Sequence, residues 1–288
     1  MANLKEIRNR ITSIKSTMQI TSAMKMVSAA KLKKAQDVIT AMRPYSLKLT
    51  ELLQNLSATL ESDASGAYAT EREVSKVLVV AITSNRGLCG GFNSSITKTV
   101  VRTIGEKYNK ISVDILAIGK KGGDVLSKAH SVIGNRNDIF DDLTFENVAV
   151  VAEELMELYA NGSYDKIEIV YNQFKNAATQ IPQVEQFLPI KPVELEGASA
   201  VKADYIFEPS KEEIVEALIP KSLKNQLFKA LRDSFASEHG ARMTAMHKAT
   251  DNATDLRDDL LLTYNKARQA SITNEILEIV GGAEALKN

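Results

Sequence analysis

The chain has 288 residues, 44% of them hydrophobic, enough for one substantial core or two modules. Lys plus Arg equals Asp plus Glu at 36 each, so no global field argues for nucleic acid or an anionic membrane surface. One cysteine, Cys89, excludes an internal disulfide, and no apolar run approaches the roughly 18 residues of a membrane span. With no secretory or transit-like start, a cytosolic chain is expected, whose membrane association would be indirect.

From Asn3 to Ser65 there is no glycine and one proline, Pro44. Apolar residues at Leu4, Ile7, Ile11, Ile14 and Met18 alternate steps of three and four, the seam of a coiled coil. The seam is expected to run on through Met24, Val27, Leu32, Ala35, Val38 and Met42, with Thr21 and several small residues breaking strict heptads. Pro44 should bend or interrupt this helix before Leu49, Leu52, Leu53, Leu56 and Leu60 resume the pattern.

The middle of the chain alternates strand and helix signals. Lys76 to Thr83 is a continuous apolar, β-branched run, followed by the turn-rich Ser84 to Asn93 and a helix over Ser94 to Tyr108. Ile111 to Ile118 is the next strand, Lys120 to Ala129 a helix, Val132 to Ile133 a short strand and Phe145 to Tyr159 a helix. Lys166 to Phe174 and Val184 to Pro189 are further strands, with a last candidate at Ala203 to Glu208. Strand and helix in alternation imply a mainly parallel sheet covered by helices.

From Lys221 to Val280 there is no proline and one glycine, Gly240. Pro220 suits a helix start, and Leu223, Leu227, Leu231 and Phe235 share one face. Beyond Gly240 the seam reads Met246, Ala249, Ala253, Leu256, Leu260, Thr263, Ala267 and Ala270. Small seam residues let two backbones approach closely, and the available partner is the other long helix, running antiparallel. Each end would form a helix of about 55 to 65 residues, roughly 80 to 100 Å long, too long to lie on a body of some 140 residues with a radius of gyration near 15 Å. The expected fold class is therefore α/β: a long antiparallel two-helix coiled coil from the terminal segments plus a central Rossmann-like domain. The expected divisions are 1–62 and 210–286 for the two helices and 74–209 for the body.

Chemistry-bearing residues do not converge. Gly87, Gly90 and Gly91 follow an apolar strand, yet their G-x-x-G-G spacing matches neither the dinucleotide fingerprint nor the P-loop. Gly119-Lys120-Lys121-Gly122-Gly123 also lacks the P-loop spacing, and tight turns account for both clusters. Cys89 has no histidine near it in sequence, and His130, His239 and His247 show no metal-ligand spacing. The carboxylates at Asp138, Asp141 and Asp142, and at Asp255, Asp258 and Asp259, read as turn formation and helix solvation. Lys25, Lys31, Lys33 and Lys34 form either a solvated face or a contact for acidic loops of a surrounding partner. An enzyme needs titratable groups converging on a pocket; without them a binding or mechanical role leads. A nucleotide-binding enzyme with a docking arm and a passive coiled-coil scaffold are the competing classes.

Three segments carry a specific resemblance. The tail from Tyr264-Asn265-Lys266-Ala267-Arg268-Gln269-Ala270-Ser271-Ile272-Thr273-Asn274-Glu275 to Glu278, Gly281, Gly282 and Ala283 resembles the signature of the gamma subunits of F-type ATP synthases. Ile7-Arg8-Asn9-Arg10-Ile11 with Ile20-Thr21-Ser22-Ala23-Met24-Lys25-Met26-Val27-Ser28-Ala29-Ala30-Lys31-Leu32 resembles that family's opening. Arg86-Gly87-Leu88-Cys89-Gly90-Gly91-Phe92-Asn93 resembles its central loop, and the lack of a large insertion fits a bacterial member.

The resemblance implies a rotor shaft inside a ring of three alpha and three beta subunits. The α/β body, with an epsilon subunit, would stand as a foot on the membrane ring of c subunits, at the cytoplasmic face of the inner membrane. It implies no cofactor, no metal, no nucleic acid, no direct membrane insertion, and nucleotide sites that belong to the partners. Carried over by position, Met24 and Lys25 face an acidic loop of beta, Arg242, Arg268 and Gln269 contact the alpha/beta ring, and Tyr205 and Glu208 contact the c ring.

Overall fold

A computed structural model describes residues 4–57, 68, 71–190 and 211–285. The expected contacts Tyr205 and Glu208, and the strand candidate Ala203 to Glu208, lie outside those residues. Helix α1 runs Leu4–Ser57, followed by β1 (Lys76–Ile82), α2 (Phe92–Lys107), β2 (Ser112–Ile118), α3 (Lys120–Leu126) and β3 (Ser131–Asn135). A short 3-10 turn at Asp138–Phe140 leads to α4 (Phe145–Ala160), β4 (Lys166–Phe174), β5 (Gln180–Leu188) and α5 (Lys211–Ala285).

The strands form one sheet in the order β3-β2-β1-β4-β5, parallel except for β5, which pairs antiparallel with β4. β1 is a continuous apolar run because both of its faces are covered. Leu78, Val80 and Ile82 pack with Val148, Ala152 and Leu155 of α4 and with Leu223, Leu227 and Leu231 of α5. Val77, Val79 and Ala81 pack on the opposite face with Ile96 and Val100 of α2 and Leu126 of α3. The mixed α/β class with a mainly parallel sheet stands as expected.

Two helix expectations need correction. Pro44 lies inside α1 without ending it, and Pro220 lies inside α5, which begins nine residues earlier, at Lys211. A proline in a helix removes one backbone hydrogen bond and crowds the preceding turn. Burial of the flanking residues offsets this: Ile219 is 8% and Leu223 2% exposed around Pro220, and Leu49 is 5% exposed one turn beyond Pro44.

The chain divides into two compact units, Met1–Ala29 with Arg242–Asn288, and Ala30–Ala241, so the division runs through both long helices. In the larger unit α1 and α5 meet through Ser46 and Asn225, the Asn225 amide donating to the Ser46 hydroxyl at 3.1 Å. An ion pair joins Lys224 of α5 to Glu153 of α4, and Arg232 donates to the carbonyl of Leu143. Burial pushes the Arg232 guanidinium down from its ordinary range, while nearby Asp142 works against that shift.

The start of β1 is fixed by one carboxylate. Asp165 accepts from the Ser75 amide at 2.9 Å, the Ser75 hydroxyl at 2.7 Å and the Lys76 amide at 2.9 Å. The Ser75 hydroxyl and amide, and then the Lys76 amide, hold its carboxyl below the usual aspartate range. A depressed carboxylate stabilises the fold above its unfolded pKa, and that contribution fades as pH falls through the folded value. Asp165→Ala is therefore expected to cost about 1 to 2 kcal/mol near neutral pH, with the difference from the parent shrinking below about pH 4. Urea unfolding across that pH range checks it; a difference that grew with acidification would contradict the assignment.

Candidate functional site

Two places in the structure could do work: the outer surface of the helical pair, and the edge of the sheet where β1 and β4 end. In the smaller unit the helices are antiparallel, since Arg8 meets Tyr264 and Thr21 meets Thr250. The Arg8 guanidinium donates to the Tyr264 hydroxyl at 3.2 Å and lies 5.8 Å from its ring centre. The hydroxyls of Thr21 and Thr250 are 2.8 Å apart, and each also lies within hydrogen-bonding distance of a carbonyl of its own helix, Met18 for Thr21 and Met246 for Thr250.

Burial gives the seam directly. On α1 it reads Ile7, Ile11, Ile14, Met18, Thr21, Lys25 and Ser28, in steps of four and three without a break. Val27, expected in the seam, is 58% exposed, and Ser28, 2% exposed, stands in its place. On α5 the covered positions include Met246, Thr250, Ala253, Arg257, Leu260, Tyr264, Ala267 and Ser271, the same alternation. Leu256, at 44%, and Thr263 and Ala270 are turned outward instead. Two heptad phases run through Met246, Ala253, Leu260 and Ala267, and burial selects the one that continues through Thr250, Arg257, Tyr264 and Ser271.

Apolar side chains are therefore displaced onto the surface. Ile20, Met26 and Val27 on α1 are 58% to 65% exposed, and Leu262 on α5 is 62% exposed. Leu4, the first described residue of α1, is only four positions before Arg8, so α5 beyond about Ser271 has no described stretch of α1 beside it. Every described side chain from Ile272 to Ala283 is exposed, among them Ile276, Leu277, Ile279 and Val280. A lone helix with that many exposed aliphatic groups needs a covering surface.

Of the residues assigned by sequence to the ring contact, Arg268 and Gln269 are exposed, Met24 and Lys25 are half-covered, and Arg242 is buried. Lys25 occupies a seam position, which steps of four and three from Ile7 would have located. Lys31, Lys33 and Lys34 are exposed, and Lys33 pairs with Asp37 at 2.9 Å.

At the sheet edge, strand order reverses between β1 and β4, the position where open α/β sheets take their ligands, beyond the carboxyl ends of the strands. Here the chain fills that crevice itself. The Ser237 hydroxyl of α5 donates to the backbone carbonyl of Asn172 near the end of β4 at 3.0 Å. The Asn172 amide donates to the carbonyl of Phe92 at 3.0 Å, and its side-chain oxygen accepts from the Ser95 hydroxyl at 3.2 Å, both on α2. Gly240 approaches the β4–β5 turn so closely that an added Cβ would stand 3.1 Å from the Cα of Ala177. Ala241 packs with Cys89 and Phe92. Next to Asn172, Tyr171 donates to Glu185 at 2.6 Å; burial first, then that carboxylate, raise its phenol above the ordinary range.

Amides of the second glycine cluster are engaged by the protein. Gly122 donates to the Thr83 hydroxyl at 2.9 Å, Lys121 to the Ser84 carbonyl at 3.0 Å, and Lys120 to the Asn85 side chain at 3.1 Å. In the first loop, Asn93 accepts from the Ser84 amide at 2.9 Å and donates to the Cys89 sulfur at 3.2 Å, with Cys89 buried. Among the described residues no group of three or more His, Cys, Asp or Glu could hold a metal ion, and no helix is long and apolar enough to cross a membrane.

Gly119, at φ +105°, could not carry a side chain, because a Cβ would fall 2.2 Å from the Thr83 carbonyl oxygen. Gly119→Ala is expected to lower stability by at least about 2 kcal/mol. Gly105→Ala, in the exposed last turn of α2 with nothing within 4 Å of the new carbon, is expected to raise it by about 0.4 to 1 kcal/mol. Denaturant midpoints of the two variants check the contrast, which similar midpoints would remove.

The family model described as ATP synthase matches residues 3–286. The chain is 74% identical over 286 residues to the ATP synthase gamma chain of Flavobacterium johnsoniae, covering 99% of each, and 54% identical to that of Cytophaga hutchinsonii, covering all of both. Among solved structures, it is similar to a chain of the central stalk and c-ring of the Tetrahymena thermophila mitochondrial ATP synthase. That match has 30% identity and a TM-score of 0.57, covering 80% of this chain and 99% of that one. A chain of the Euglena gracilis mitochondrial rotor shares the fold at a TM-score of 0.66 and 22% identity, covering 93% and 98%.

Proposed function

The chain belongs to the ATP synthase gamma-chain family, and on that premise we propose that it is the central rotor shaft of a proton-translocating ATP synthase, non-catalytic by itself. The antiparallel helices turn inside a ring of three alpha and three beta subunits, and the α/β body stands with an epsilon subunit on the membrane ring of c subunits. Proton flow turns the c ring and this chain with it, and the shaft carries the partners' catalytic sites through their conformations in sequence. The complex sits at the cytoplasmic face of the inner membrane, where this chain is peripheral.

The observation that carries this reading is the outer surface of the helical pair: Ile20, Met26, Val27 and Leu262 remain exposed beside a strict seam, and α5 continues bare from Ile272 to Val280. An apolar tip suits a close-fitting, non-directional socket, since burial of aliphatic surface gives attraction without fixing one angle. Around Met24 and Lys25 the same logic holds, because exposed ion pairs are worth only about 0 to 1 kcal/mol and methionine adapts to a changing partner. Lys25, Arg268 and Gln269 are the polar contacts proposed to the ring together with Arg242, and Tyr205 and Glu208 are those proposed to the c ring. Against an enzyme with its own nucleotide site stands the crevice at the end of β1 and β4, taken up by α5.

Reconstitution tests the proposal. The purified chain should hydrolyse no ATP, and adding it to alpha and beta should restore turnover that a cross-link between shaft and beta then stops. Useful nucleotide turnover by the chain alone, or cross-linked complexes that run unimpaired as a passive scaffold would allow, contradicts it. Met24→Lys adds a cation beside acidic partner loops and strengthens a contact that must break each cycle. It is expected to lower coupling more than assembly, read as the ratio of proton transport to hydrolysis; an unchanged ratio removes that role for Met24.

A further inference from the structure

We infer that the seat of α5 in the sheet crevice, keyed by Asn172, Ser237 and Gly240, is the joint through which torque passes between the α/β body and the long helix. The inference rests on the rotor reading and deepens it by assigning the load-transmitting contact to particular residues.

A helix lying on a sheet normally buries one stripe and leaves the rest in water. From Ala236 to Ala241 every residue of α5 is buried, so the helix is enclosed on all sides over this stretch. The enclosing contacts come from three directions in the chain. Ser237, fully buried, bonds to the Asn172 carbonyl of β4; Gly240 abuts the turn after β4; and Ala241 rests on Cys89 and Phe92 at the start of α2. Asn172, also fully buried, ties these elements to one another, because its amide and side-chain oxygen hold Phe92 and Ser95 of α2 while its carbonyl holds α5.

The chemistry suits resistance to twist rather than adhesion alone. Apolar contacts slide with little change in energy, whereas rotating α5 about its axis would break the directional bond from the Ser237 hydroxyl to the Asn172 carbonyl in a fully buried setting. Gly240 adds a close steric fit, since a Cβ at this position would stand 3.1 Å from the Cα of Ala177. Chain continuity completes the path: α5 runs on without a break from this seat to Ala285.

The test uses the assembled ATP synthase containing this chain, in sealed vesicles. Ser237→Ala and Asn172→Ala delete the keyed hydrogen bonds without adding volume, and Gly240→Val wedges the seat. Hydrogen exchange reports the seat itself: each lost buried hydrogen bond is expected to raise opening of the 235–241 amides by roughly fivefold. ATP hydrolysis by the complex of alpha, beta and this chain, freed from the membrane ring, should stay within about twofold of the parent for Ser237→Ala and Asn172→Ala, since neither is among the residues proposed to touch the ring. Proton-driven ATP synthesis should fall by more than about threefold, because torque must cross the loosened seat. If Asn172→Ala or Gly240→Val prevents assembly, Ser237→Ala, which removes one hydroxyl, carries the test. Variants with faster exchange at 235–241 and an undiminished ratio of synthesis to hydrolysis overturn the joint. A parent chain that assembles yet links no proton movement to turnover overturns the rotor reading instead, so the two failures are distinguishable.

Discussion

The close approach of α5 to the carboxyl edge of the sheet is the constraint from which much else follows. A parallel sheet whose strand order reverses between β1 and β4 opens a crevice there. In this chain Ser237, Gly240 and Ala241 occupy it, and Asn172 binds the occupant to β4 and α2 at once. Filling the crevice from within removes the space a nucleotide would take. It also gives a long helix something a flat packing face cannot, a seat that surrounds it. The glycine loops fit the same picture: Thr83, Ser84 and Asn85 meet the amides of the second loop, and the first closes around Asn93 and Cys89.

The helical pair is built on the opposite principle. Its seam is regular in spacing but mixed in chemistry, with Thr21, Lys25 and Ser28 following Ile7, Ile11, Ile14 and Met18 on α1. Strict heptad spacing holds the register, while several aliphatic residues that could drive burial, among them Val27, Leu256 and Leu262, point outward. A pair that served only to hold itself together would have the reverse arrangement. Beyond Ser271 the same outward display continues, with Ile276, Leu277, Ile279 and Val280 exposed on α5.

Much of this was legible in the sequence, and what was not has a physical cause. The run from Lys76 to Thr83 announced a strand buried on both faces, and the breaker-free ends announced long helices, because local pattern decides both. The prolines misled: Pro44 and Pro220 are boundary signals on a local reading, yet Leu49, Ile219 and Leu223 are buried nearby and carry the helices through. On α1 a strict alternation from Met18 through Thr21 reaches Lys25 and Ser28 rather than Val27, whereas on α5 two phases share Met246, Ala253, Leu260 and Ala267, and spacing alone does not separate Leu256, Thr263 and Ala270 from Arg257, Tyr264 and Ser271. The seat of α5 was not legible at all. Asn172 and Ser237 are ordinary polar residues 65 positions apart, and only the topology of the sheet brings them together. Gly240 is the sole glycine from Lys221 to Val280, but its reason, the backbone of Ala177, lies in the fold.

The threonine pair of the seam has a consequence of its own. Thr21 and Thr250 face each other at 2.8 Å, and each hydroxyl also has a carbonyl of its own helix within reach. Should the helices draw apart, one hydrogen bond is lost but neither hydroxyl is left empty-handed, since each falls back on its own backbone. The coil thus yields reversibly at this level, like a spring with a shallow restoring force. The enclosed stretch near Asn172 differs in that its polar contacts run to other elements, from Ser237 to β4 and from Asn172 to α2.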